Sequence, residues 1–175
     1  MRTPGPWLLL SLLAGCNLLH GPPKAGECQA NLRTILSGEQ DFHALHRRFT
    51  VHPAEVGFAP VPGNRYLYRF APDGGLTRRD GRPSPPLAES VGIGPDTRAR
   101  GTTAEWLEAR LPPEVRASLG VEGACPACEV TVGCVANLDD DDAVDVWTIS
   151  SRDRVLDGGL TLRGTPFHHR DDLRD

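Results

Sequence analysis

"CPACEVTVGCVANLDDDDAVDVWTIS", residues 125–150, carries two apolar alternations separated by a run of aspartates, and its reading decides the architecture. In "EVTVGCVA" apolar residues recur at every second position, which puts Val130, Val132, Cys134 and Ala136 on one face of a strand. "VDVWTISS" repeats the pattern, with Val144, Val146 and Thr148 on one face and Trp147 and Ile149 on the other. The intervening "NLDDDDA" is turn chemistry, because Asn and Asp side chains bond their own backbone two residues on. The two strands are therefore expected to run antiparallel.

Upstream, "GECQANLRTILSGEQDFHALHRRF" (residues 26–49) is the one long helical pattern. Cys28, Leu32, Ile35, Leu36, Phe42, Leu45 and Phe49 fall on a single apolar stripe, weakened in the middle by Gly38. "VHPAEVGFAPVPGN" is an irregular connection, and "RYLYRFAP" alternates as a strand. "DGG" followed by "LTRRD" then suggests a hairpin. Residues 81–123 read as an insertion of loop and short helix, with "TTAEWLEARL" capped by Thr103 and stopped by Pro112-Pro113. "DGGLTLRG" adds a last edge strand, and "HHRDDLRD" (168–175) is a disordered tail. One long N-terminal helix followed by an antiparallel sheet is an α+β fold, with the helix stripe laid on one sheet face.

The chain opens "MRTPGPWLLLSLLAGC", whose apolar run is far shorter than the roughly 20 residues of a spanning helix. Residues 1–15 read as a secretion signal. Leu13-Ala14-Gly15-Cys16 resembles a bacterial lipobox, which implies cleavage before Cys16 and acylation of its sulfur and amino group. Acyl chains contribute about 0.8 kcal/mol per buried methylene, so the implied protein is lipid-anchored in the cell envelope. Asn17 is not the aspartate of inner-membrane retention, which favours the outer membrane. Residues 16–25 are a tether, and residues 26–167 form one globular domain. Glycine and proline number 19 and 16, which favours turns and short strands over a helical bundle. A net charge of −4, with no basic stripe interleaved with aromatics, argues against nucleic-acid binding.

"EVGFAPVPGNRYLYRF" (residues 55–70) and the opening stretch together resemble the globular head of bacterial type IV pilins. Gly57-Phe58-Ala59-Pro60, Gly63-Asn64-Arg65-Tyr66, Cys125-Pro126-Ala127-Cys128, Asn137-Leu138-Asp139 and Asp145-Val146-Trp147 carry the resemblance, in order, after a helix similar to the exposed half of the pilin helix. The resemblance implies a helix packed on an antiparallel sheet. Pilins begin with a basic leader and about 25 apolar residues of assembly helix, where this chain carries lipobox and tether. A tethered monomer with a pilin-like head, not a fibre subunit, is the expectation.

Five cysteines less Cys16 leave four, in an oxidising compartment, and three pairings are open. Cys125–Cys128 is the pair the resemblance implies. Cys28 and Cys134 are absent from the family pattern and lie on faces expected to meet, so the second pair expected is Cys28–Cys134. The competing chemistry is a thiol–disulfide protein using the Cys125/Cys128 pair. A reactive pair wants its first sulfur at a helix N-terminus, whereas this motif precedes a strand and is flanked by Glu122 and Glu129.

Asn137, Asp139, Asp141 and Asp145 place oxygen side chains at positions 1, 3, 5 and 9 of a tight loop, a pattern that converges on a hard cation such as calcium. The EF-hand pattern breaks at Asp142 and Thr148, which stand where its glycine and closing glutamate belong. His43 and His46 are one turn apart but lack a zinc protease's glutamate, so they read as a polar helix face. Nucleophile and dinucleotide fingerprints are absent from the sequence. The function expected is a non-enzymatic, membrane-anchored interaction module, with type IV pilus or type II secretion machinery as protein partners and calcium as stabiliser.

Overall fold

A computed structural model describes residues 24–96, 102–139 and 141–173; Cys16, the signal and most of the tether lie outside them. Helix α1 spans Lys24–His46 and buries Cys28, Leu32, Ile35, Leu36 and Phe42. The stripe also contains Glu39, which is 0% exposed. Gly38 has a packing reason: a Cβ there would stand 2.9 Å from the backbone oxygen of Val56, so the helix approaches the following connection too closely for a side chain. The helix ends earlier than its apolar pattern suggests. Arg47 takes φ +58° and donates its N–H to the His43 carbonyl (2.8 Å), the left-handed stop of a helix C-terminus. Leu45, expected on the stripe, is exposed, and Phe49 reaches the core only after that turn.

β1 (Leu67–Arg69), β2 (Gly92–Ile93), β3 (Gly120–Glu122), β4 (Glu129–Ala136), β5 (Asp145–Ser150) and β8 (Phe167–Arg170) form a six-stranded antiparallel sheet in the order β2-β1-β4-β5-β8, with β3 paired to β4. β5 pairs along one edge of β4, from Thr131↔Ser150 to Ala136↔Asp145. On the other edge β1 pairs with residues 133–135 and β3 with residues 129–131 of the same strand. β6 (Arg154–Leu156) and β7 (Gly159–Thr161) form a separate hairpin, with Asp157 and Gly158 both at positive φ in its turn.

The period-2 faces are occupied as the alternation dictates. Val130, Val132, Cys134, Ala136, Trp147 and Ile149 pack with Tyr66, Tyr68 and Phe70 against α1. The opposite face buries Leu67, Val135, Val144 and Val146 under α2 (Ala104–Arg110) and α3 (Pro113–Ala117), through Leu107, Leu111 and Val115. Thr103 caps α2, accepting a hydrogen bond from the Trp106 N–H. Arg69, pointing to this second face, pairs with Glu108 of α2 at 2.9 Å. The sheet is thus covered on both sides, in an α+β fold with the long helix on one face.

Three expectations are corrected. The segment 81–123 is no mere loop-and-helix insertion, since it supplies β2 and β3 to the main sheet. "LTRRD" does not fold back on β1; β1 pairs with β2 instead, and Thr77 makes only an isolated bridge to Ile93. The tail 168–175 does not fray as a whole, because residues up to Arg170 are paired in β8 against β5. These strands escape sequence analysis because they are two to four residues long or largely polar, too short for a period to register.

Candidate functional site

Four cysteines form two bridges. Cys28–Cys134 joins α1 to the middle of β4, with 6.4 Å between Cα atoms and both residues buried. Cys125–Cys128 closes the turn before β4, with 4.4 Å between Cα atoms. Its peptide Cys125–Pro126 is cis, and His43 of α1 places Nε2 2.9 Å from the Pro126 carbonyl oxygen. Among the described residues it is β4, a strand and not a helix, that begins directly after the motif. The nearby guanidinium of Arg152 is engaged by Glu122 and Glu129, at 2.6 and 2.7 Å. The surroundings of this pair do not favour a reactive thiolate.

Beside the bridges, Asp145 is turned into the core. Its Oδ2 accepts hydrogen bonds from the Tyr66 hydroxyl and the Trp147 indole N–H, both at 2.7 Å, and its Oδ1 meets His168 Nε2 at 2.6 Å. Trp147 stacks on His168 with centroids 3.8 Å apart. Burial, reinforced by the Asp145 charge, pushes the Tyr66 phenol far above its usual range, so it remains a donor. Residues from just before β1, from β5 and from β8 are locked by one carboxylate.

The turn between β4 and β5 holds the other acids. Asp139 Oδ1 accepts from the Asp141 N–H (3.1 Å), Asp141 Oδ1 from the Ala143 N–H (2.7 Å), and Asn137 Nδ2 donates to the Asp141 carbonyl (2.6 Å). From beyond β8 comes Asp172, only 1% exposed, whose Oδ2 accepts from the Leu138 N–H. One carboxylate oxygen each from Asp139, Asp141 and Asp172 lies within 4.8 Å of the others. Asp172 Oδ1 and Asn137 Oδ1 are buried without hydrogen-bond partners. Burial raises the Asp172 pKa, the Leu138 N–H opposes that, and the charges of Asp139 and Asp141 add to the rise.

Of the four oxygen residues singled out from sequence, the structure keeps Asn137, Asp139 and Asp141 at the turn and sends Asp145 to a different cluster, with His168 and Asp171. Alternation explains the departure: Asp145 is already the first residue of β5. Asp172 was missed because it lies 33 residues from Asp139 in a polar tail (172 − 139), with no periodicity to mark it.

No family model matches the chain. It is 28% identical, over 170 residues that cover 86% of this chain and 77% of the relative, to the type IV major pilin protein PilA of Myxococcus xanthus (strain DK1622). That similarity, on a long helix packed against an antiparallel sheet, supports a pilin-like domain.

Proposed function

We propose that this chain is a cell-envelope protein whose pilin-like head acts by protein–protein contact, on type IV pilus or type II secretion machinery, and catalyses no reaction. The observation that carries this is the similarity to a major pilin across most of the chain. Cys16 is lipidated and tethers the head to the membrane as a monomer, with the outer membrane favoured; the lipobox-like Leu13-Ala14-Gly15-Cys16 supports this. Calcium at the β4–β5 turn stabilises the head, supported by the acids gathered there. The placement of Cys125–Cys128 ahead of a strand supports a bracing role for that pair over thiol–disulfide exchange.

The test is the full chain in its own cells, labelled with an alkyne palmitate and cross-linked before purification. Label on the wild type, its loss in Cys16→Ser, and cross-links to pilus or secretion components are the expected results. Unlabelled wild-type protein overturns the anchor. Recovery of the chain as a repeating subunit of sheared fibres overturns the tethered monomer while keeping the pilus connection.

A further inference from the structure

We propose that Asp139, Asp141 and Asp172, together with the side-chain oxygen of Asn137, form a calcium site that clasps the carboxyl-terminal segment to the β4–β5 turn. The inference rests on the calcium part of the function above and is independent of the pilus part.

Two observations carry it. First, three carboxylates from two distant parts of the chain converge, with ligand oxygens no farther apart than 4.8 Å. Oxygens on opposite sides of one calcium ion stand about 4.6 to 5.2 Å apart, given Ca–O distances of roughly 2.3–2.6 Å. Among the described residues, no lysine or arginine pairs with any of the three; Arg110 instead meets the neighbouring Asp142. Second, the site has a buried wall of unused acceptors. Asp172 is 1% exposed and Asn137 9%, and each has an Oδ1 shielded from solvent and without a donor. A buried acceptor without a partner is costly, and an acidic turn in water would leave none. Asn137 is held in place through its other side-chain atom, by the 2.6 Å bond to the Asp141 carbonyl.

The donor set selects the ion. It contains only carboxylate and amide oxygens, with neither sulfur nor imidazole, which suits a hard cation over zinc or copper. The ligands sit on an irregular turn and a chain end, and calcium tolerates such irregular geometry where magnesium demands a near-ideal octahedron. Water completes the coordination. The structural gain is specific: β8 is four residues long and its pairing with β5 shifts register between Val146 and Trp147. A cation bridging Asp172 to the turn fixes that strand just beyond its last pair.

The decisive experiment uses the full chain in detergent, stripped with EGTA and titrated with calcium or magnesium alone, with melting temperature, calorimetry and hydrogen exchange as readouts. The expected result is one calcium per chain, a rise in melting temperature of several degrees that grows with the logarithm of calcium concentration, and slowed exchange over residues 167–173. Asp139→Asn and Asp172→Asn keep an oxygen acceptor while removing the charge, and each abolishes the rise; Asp142→Asn keeps it. Each variant is compared with itself, with and without calcium, so a lower baseline does not obscure the result. A rise that survives Asp172→Asn and Asp139→Asn overturns this ligand set but leaves a calcium-stabilised head. No calcium response in the wild type overturns both, whatever the cross-links to pilus components show.

Discussion

Asp145 and Glu39 are both fully buried acids, and their neighbours give them opposite characters. Asp145 serves three donors, two of them on side chains sealed in the core. Asp145→Ala strips the acceptor from Tyr66 and Trp147 together, and a loss of about 3 to 5 kcal/mol in urea unfolding is expected. Glu39 has one donor, the Thr50 N–H at 3.1 Å, and an Oε1 with none. Burial, with the Glu55 charge adding to it, pushes its pKa from 4.5 up to about 7. Because the folded value lies above the unfolded one, this carboxyl costs nothing below pH 4.5. Its penalty grows as pH rises and is complete above about 7. Glu39→Gln should therefore leave stability near pH 4.5 little changed and raise it at pH 8. The gain expected is roughly 1 to 3 kcal/mol, after an unpartnered amide is set against the relieved charge. Melting curves across that range, showing no gain at pH 8, would count against this account of Glu39.

At the scale of the element, the contact between α1 and β4 is covalent as well as apolar. Cys28 and Cys134 are separated by 106 residues, and closing a loop of that size contributes about 4 to 5 kcal/mol in the chain-entropy picture. The double variant Cys28→Ala, Cys134→Ala should melt well below the wild type under non-reducing conditions. An equal melting temperature would show that the helix stripe alone holds the helix down. The parts of this contact legible in the sequence were those with a sustained period. The faces of β4 and β5 followed from eight and six residues of alternation, and the helix stripe from its spacing. What stayed hidden had a physical reason in each case. Glu39 occupies a core position that no hydrophobic pattern reveals, and Gly38 looks like a flaw until Val56 is seen against it. β2 and β3 are strands only because β1 and β4 offer them edges. Asp172 joins the turn only because β8 exists, so the candidate cation site was half visible: its local ligands could be read, and its distant one could not.

At the scale of the molecule, the sheet is a shared wall between two cores, one built with α1 and one with α2 and α3. The segment that reads as an insertion is therefore what seals the second face. The bridge from α1 to β4 also has a mechanical meaning. When the head is pulled by its two ends, tension entering near the start of α1 crosses at Cys28 directly to Cys134 and leaves along β5 to β8. Everything between the two cysteines lies off the line of force: most of α1, the strands β1 to β3, the helices α2 and α3, and the small bridged turn. About 350 Å of chain contour, at roughly 3.3 Å per residue for a separation of 106 residues, stays folded or slack and cannot be drawn out until the bridge is reduced. An oxidised head is thus a short, stiff link under shear, and a reduced one a long, extensible tether.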